Sequence, residues 1–516
     1  RWSASTTIER TNGIFEKVSV TGGTTEVNHT VVNDLDGKVF VGAGLINVTA
    51  FDGDVAISSL GATNDGIEHQ IINAPRVFTQ AGAVTDIAMT VNITGGGADK
   101  FVYVGSAATD LITVSRDSVN PAVSTITNTA PRADDTMGVS VNITARTVGT
   151  LEVNTRAGND RVAVLGNNVP VHVNTGLDRD VINIGSTATI ADTDFTGAGD
   201  LDDFAALVDV DAYDLLNLTE AETLLGSDYV VVNATTVLER SRDVLNIDDS
   251  GAAATSAEDG KLGLEDRTVR EGRMALNGVN TSVGNITYIG LETVNLNLSQ
   301  FVNVLTVDST GLFDVTTITT NGGDDVIDIY TINGQTTLDT GAGQDTITVT
   351  DTRDKAQTVD RISIGLLTIN GGANVDTLTV SDEGDTKDDP RPDNVLTSSL
   401  ITGFGIGVGI AYEAFETLNI KTGSGASKIY VADTHKGETN QQTGNSDQPA
   451  IGSEIDDEIN VNQISGDLHI TMGGGNDVIR INFDALNNQT EVNGLDSGTD
   501  TPYLFTVDGG SDSDQY

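Results

Sequence analysis

The 516-residue chain has no cysteine, which excludes disulfides and thiolate metal sites. That suits the outside of a bacterial cell without establishing it. Aromatic residues make up only 4%. They usually fill the irregular core of a globular enzyme, whereas Val, Ile, Leu and Thr suit stacked strands. Basic residues are also scarce: 27 Lys and Arg stand against 75 Asp and Glu, a formal net charge of −48. This balance argues against nucleic acid or an anionic membrane as partner, and its self-repulsion favours bound cations. No apolar run reaches the roughly 18 residues of a membrane span. GxSxG, P-loop and HExxH patterns are absent. The five histidines, His172, His435 and His469 among them, show no metal-ligand spacing, so surface or ladder positions are expected for them.

What the chain does have is repetition. Thr316 to Thr350 holds two copies of one unit: a short Thr/Ile/Leu strand, a glycine turn ending in Asp, then an alternating strand. The turns are Asn321-Gly322-Gly323-Asp324-Asp325 and Gly341-Ala342-Gly343-Gln344-Asp345, so Asp325 and Asp345 lie 20 residues apart. Asp160 and Asp180 repeat the offset of 20, and so do Asp457 and Asp477. An earlier turn of the same kind ends at Asp99. A unit this short cannot bury an apolar face alone and must stack on its neighbours. The regular strand pattern also argues against disorder as the reason for the acidity. The expectation is an all-β, elongated parallel β-solenoid with coils of about 20 residues.

A longer period overlies the short one. Ile289-Gly290-Leu291-Glu292-Thr293-Val294-Asn295-Leu296 resembles Glu413-Ala414-Phe415-Glu416-Thr417-Leu418-Asn419-Ile420 at an offset of 124. The stretch from Asp243 to Gly251 resembles Asp376 to Gly384 at an offset of 133. Gly149 to Asn154 looks like an earlier copy of the first motif. The coils therefore group into modules of about 130 residues. This gives an irregular β region over 1–90 (a cap or docking segment), solenoid modules over 91–293 and 294–417, and a partial module over 418–516. Insertions are expected at about 250–288 and 383–411, the second carrying a solvated loop at Lys387 to Pro392. Mixed apolar spacing at Phe204, Leu207, Leu215, Leu216, Leu218 and Leu224 predicts a small helical insertion near 200–226. Neither terminus reads as a natural end, so the chain is expected to be a slice of a longer one.

Glycine allows positive φ at a tight corner. Aspartate and turn carbonyls supply the hard oxygens that Ca²⁺ prefers. Stacked turns would set carboxylates about one strand spacing apart, roughly 4.8 Å. Two readings of Asp99, Asp160, Asp180, Asp325, Asp345, Asp457 and Asp477 stay open: Ca²⁺ between neighbouring turns, or capping of each turn by its own Asp. Gly-x-Gly-x-Asp followed by an alternating strand resembles the RTX, or haemolysin-type calcium-binding, repeats. The modular form is similar to repeat arrays of very large secreted or surface proteins. The resemblance covers residues 90 to 516 and implies a calcium-loaded, elongated extracellular β-solenoid. The chain departs from that pattern: its turns recur every 20 residues instead of about every nine. Leu298 to Asn303 lacks the glycines, and Ser427 stands where Asp is expected, so those corners should bind no metal.

The expected function is structural and non-enzymatic: a segment of an extracellular filament, surface layer or adhesin stalk. Its partners would be other copies or further segments of the same long protein, end to end, or an extracellular polysaccharide. The alternative is a β-helix polysaccharide lyase or carbohydrate-binding module, against which the scarcity of basic residues argues.

Overall fold

The structure is a computed structural model. It describes backbone strands from Thr6–Thr11 onward, and side chains chiefly within residues 101–129, 148–212, 242–252, 285–442, 456–481 and 504–508, short gaps apart. The chain divides into two compact units, Arg1–Ala252 with Ala275–Asn295, and Ala253–Met274 with Leu296–Tyr516. The described residues form strands, bridges and turns, with no helix among them.

In the first unit, Thr150–Asn154, Val171–Asn174, Val208–Asp211 and Ile286–Ile289 pair in parallel and in register. The strands Arg161–Val164, Val181–Ile184 and Val244–Asp248 build a second parallel sheet. From residue 150 to 211, successive strands therefore alternate between the two sheets. Four-residue strands such as these have little stability alone, but register makes rows of them. Leu151, Val171, Val208 and Ile286 form one buried row, and Val153, Val173, Val210 and Tyr288 another.

The second unit repeats the plan. Val326–Ile329, Thr346–Val349, Thr377–Ser381 and Thr417–Lys421 pair in parallel, with Ile327, Ile347, Leu378 and Leu418 in one buried row. Val315–Thr319, Thr336–Asp339 and Leu367–Asn370 form the opposing parallel set. Each buried aliphatic side chain contributes roughly 1.5–3 kcal/mol by leaving water, so the rows supply the driving force that a lone repeat lacks.

Turn geometry follows from close stacking. Gly341 has φ +86°, and a Cβ there would collide with the carbonyl of Asn321. A Cβ on Gly343 would strike the Gly323 carbonyl in the turn of the neighbouring repeat. Glycine is needed here both for handedness and for the approach of one turn to the next.

Two expectations are revised. The described part of 200–226 is strand, not helix: Val208–Asp211 alternates with period two and pairs with Val171–Asn174, while Leu215–Asn217 pairs antiparallel with Thr236–Glu239. Period-two register outweighed the helical spacing of the leucines; residues 218–226 lie outside the described residues. Asp389–Leu396 is a strand, not a solvated loop, pairing with Ser427–Val431 and turning back through Leu400–Gly403 into Ile406–Glu413. The backbone ladder tolerates Pro390 and Pro392 in a segment whose pairing shifts register between Asp389 and Asn394. Within residues 1–90, read as an irregular β region, Ile46–Thr49 pairs in parallel with Glu68–Ile72, which pairs with Lys100–Val104.

Candidate functional site

The acidic residues that close the glycine turns do not face water. They form ladders. In the first unit, Asp160 Oδ1 accepts from the Asp110 N–H at 2.6 Å, and Asp180 Oδ1 accepts from the Asp160 N–H at 2.6 Å. Asp243 Oδ1 accepts from the Asp180 N–H at 2.7 Å, and Glu292 Oε2 accepts from the Asp243 N–H at 2.8 Å. The second unit holds the same arrangement. Asp325 accepts from Asn303 at 2.6 Å, Asp345 from Asp325 at 2.8 Å, Asp376 from Asp345 at 2.8 Å and Glu416 Oε2 from Asp376 at 2.8 Å. A shorter ladder runs from the Ser427 N–H to Asp457 at 2.7 Å and from the Asp457 N–H to Asp477 at 2.9 Å.

Each pair named by the 20-residue spacing is thus brought together: Asp160 with Asp180, Asp325 with Asp345, Asp457 with Asp477. Asp99 lies outside the described residues. Each carboxylate bonds the backbone of the neighbouring repeat, so the side chain ties one repeat to the next as well as closing its turn. A neighbouring column of threonines reinforces the tie: Thr155 Oγ1 donates to the Thr175 carbonyl, Thr320 Oγ1 to the Thr340 carbonyl at 3.1 Å, and Thr340 Oγ1 to the Gly371 carbonyl at 2.9 Å.

The ladders also use residues that the short period does not reveal. Asp110, Asp243 and Asp376 are rungs, and Glu292 and Glu416 are the last acceptors. The signal for them was present as the two long-period motifs, since the Asp of one motif donates to the Glu of the other in both units. What hid it is chain length, as insertions put 49 and 40 residues between partners. Asn303 explains the turn without glycine. It heads its ladder, its Nδ2 donating to the Ser299 and Phe301 carbonyls and to Asp325 Oδ1. Ser427 likewise heads a ladder, giving a backbone N–H where no carboxylate is needed. Glu152, by contrast, sits mid-strand on the outer face, so Gly149 to Asn154 is not a third copy of the Glu292 motif.

The ladder carboxyls are buried and poorly solvated. Asp160, Asp180, Asp325 and Asp376 have no exposed surface, and Asp345 almost none. Oδ2 of each of these five accepts no hydrogen bond from any described residue. Burial pushes Asp160 up to about 8, Asp180 to about 10, Asp325 to about 7 and Asp376 to about 6. It also raises Asp345. Backbone N–H donors oppose these shifts, and neighbouring carboxylates add to them.

Ca²⁺ takes six to eight oxygens. A ladder rung commits one carboxylate oxygen to a backbone N–H and keeps one, so the rest of such a shell would have to come from elsewhere. Among the described residues no group of three or more His, Asp or Glu gathers closely enough to hold a metal. Just before the ladder residues, two ahead of Asp180 and one ahead of Asp325 and Asp457, Asp178, Asp324 and Asp456 are exposed and accept from the Gly158, Gln344 and Asn476 N–H groups respectively.

A second feature lies on the outer face of the first unit. An open groove of about 390 Å³ is lined by Thr150, Glu152, His172, Asn174, Asp209 and Asp211. His172 Nδ1 lies 2.9 Å from Asp209 Oδ2, and Thr287 Oγ1 donates to Asp209 Oδ1 at 2.6 Å. His172 and His469 occupy outward strand positions, as expected from their spacing. His435 does not: it is buried, 3.0 Å from Thr439 Oγ1, with its ring edge-on to Tyr412 at 6.2 Å.

No protein-family model matches the chain, and no curated protein sequence is significantly similar to it. No helix among the described residues is long and apolar enough to cross a membrane.

Proposed function

We propose that the chain is a structural segment: a parallel β-solenoid, resembling the RTX type, that stiffens an extracellular filament, surface layer or adhesin stalk. One observation carries this reading. The same Asp-to-backbone ladder, ending in the same Glu, recurs in both units on in-register parallel strands. A repeated cross-tie between consecutive repeats serves mechanical continuity, because backbone ladders, buried rows and side-chain ladders all run in one direction. Partners would then be further copies or segments that continue the array end to end. The charge of −48 suits a surface exposed to cation-rich surroundings. For Ca²⁺ we propose the role of counter-charge at the turns, where Asp178, Asp324 and Asp456 reach solvent. The test is imaging by negative stain with and without Ca²⁺: elongated particles or fibres are expected, and compact particles in both conditions would refute the reading. Thermal melting at fixed pH checks the metal separately. A chelator should lower the midpoint, and an unchanged midpoint removes Ca²⁺ from the proposal.

A second reading, a carbohydrate-binding module, rests on the groove at His172 and Asp209. Thr150 and Asn174 there offer groups that can bond sugar hydroxyls. Screening against a glycan array checks it: binding abolished by His172→Ala supports this role, and absence of binding leaves the structural one alone.

A further inference from the structure

In the second unit, three parallel strands in register, Ser427–Val431, Glu458–Val461 and Val478–Ile481, turn Lys428, Tyr430, Glu458, Asn460, Val478 and Arg480 outward. Glu458 serves two cations. Its Oε2 lies 2.6 Å from Lys428 Nζ, and its Oε1 accepts from Arg480. One carboxylate does not neutralise two cations, and Tyr430, Asn460 and Val478 are uncharged. This face therefore keeps one positive charge in a chain of −48. Both cations stay accessible, with 44% and 43% of their side chains exposed. An ammonium carries three donors and a guanidinium five, and among the described residues both bond only Glu458. Tyr430 beside them is exposed as well. Tyrosine and arginine are the residue types that most often carry the binding energy of a protein contact.

The first unit holds the opposite surface. Its groove collects Glu152 from Thr150–Asn154, His172 from Val171–Asn174, and Asp209 and Asp211 from Val208–Asp211. It has three carboxylates and neither lysine nor arginine. We propose that the Lys428–Tyr430–Arg480 face of one copy docks into the Glu152–Asp209–Asp211 groove of a second copy. The proposal rests on the structural reading above and adds a contact between sheet faces to the end-to-end one. Face and groove are different surfaces, so the contact is heterologous. Each copy offers its face to one neighbour and its groove to another, which propagates into a ring or an open fibre.

A second copy suits these surfaces better than a polyanion does. A uronate polymer or a nucleic acid would answer the cations and leave the acidic groove unanswered, whereas one copy meeting another answers both. The shared net charge is no obstacle at 0.15 M salt. There the screening length is about 8 Å, so the groups that touch decide the contact.

Sedimentation velocity of the full chain over a concentration series, at 0.15 M NaCl in chelator so that no metal bridges acids, tests this. Wild type should form species larger than a monomer, and 1 M NaCl should disperse them. Arg480→Glu and Glu152→Lys should each weaken association tenfold or more. The double variant exchanges the two charges and should recover most of the loss. Tyr430→Ser should weaken association while keeping its salt dependence. A wild type that stays monomeric across the series overturns the proposal. So does a double variant that associates no better than the single ones, and so does a monomer that binds a uronate oligosaccharide through Arg480. All these side chains reach the surface, so each variant should keep the wild-type melting midpoint; should Arg480→Glu melt lower, Arg480→Gln removes the charge in its place. Negative stain separates the two readings. Elongated particles that do not associate refute this contact alone, and compact particles refute the structural reading beneath it.

Discussion

At the scale of the residue, this protein places glycine and aspartate where few alternatives fit. Gly343 passes so close to the Gly323 carbonyl that a methyl group must displace backbone. Gly343→Ala should therefore cost more than the roughly 1 kcal/mol expected of an ordinary glycine, about 2–3 kcal/mol with the overpacking included. Chemical denaturation measures it. The control is Gln344→Ala, an exposed neighbour in the same turn, which should change stability by less than about 0.5 kcal/mol. The aspartates were legible from sequence as a column because their spacing of 20 repeats three times. Their environment was not legible. A carboxylate beside glycines reads as solvent-facing, and only the register of the strands shows that the turn folds its acid inward. The buried His435 is another such case: nothing in His-Lys-Gly distinguishes it from the outward His469, since the ring packed against it is Tyr412, 23 residues upstream in the strand Ile406–Glu413.

At the scale of the element, the ladder ends carry most information. Asp243 and Asp376 are followed in space by a glutamate, not an aspartate, and each of these glutamates also brings two backbone N–H groups, its own and the next threonine's, onto one carbonyl. The extra methylene lets the carboxylate reach back to the Asp N–H from that position. Glu416→Asp should then leave the Asp376 N–H without its acceptor and cost about 1–3 kcal/mol. Glu416→Gln, which keeps the reach and the acceptor, should cost less than half as much; equal losses would show that charge and not geometry matters there. Strand existence and alternation were readable from the sequence, because Ile327, Ile347, Leu378 and Leu418 recur in step. Ile347→Ala should cost about 2–5 kcal/mol through its cavity, measurable in the same denaturant series. Strand pairing across insertions was not readable. The leucines near residue 215 mimic a helix, and the Pro-containing stretch after Lys387 mimics a loop, because local spacing carries no information about which distant strand offers a free edge.

At the scale of the whole molecule, two kinds of negative charge must be kept apart. Exposed carboxylates repel through water, and salt screens them: the screening length falls from about 30 Å at 0.01 M to about 3 Å at 1 M. Ladder carboxyls are buried, and mobile ions do not reach them. Adding NaCl should thus raise the melting midpoint at any pH by relieving surface repulsion among the charges that make up −48. Burial holds Asp160, Asp180, Asp325, Asp345 and Asp376 above the ordinary aspartate range, so the midpoint should fall as pH rises from 5 to 9, and salt should leave that fall in place. Melting curves over both variables separate the two. If 1 M NaCl erased the pH dependence, the titrating groups would have to lie at the surface. If salt left the midpoint unchanged at low ionic strength, the surface charge would already be matched by tightly held cations, and calcium at the outer turn residues would be the first candidate to measure by equilibrium dialysis.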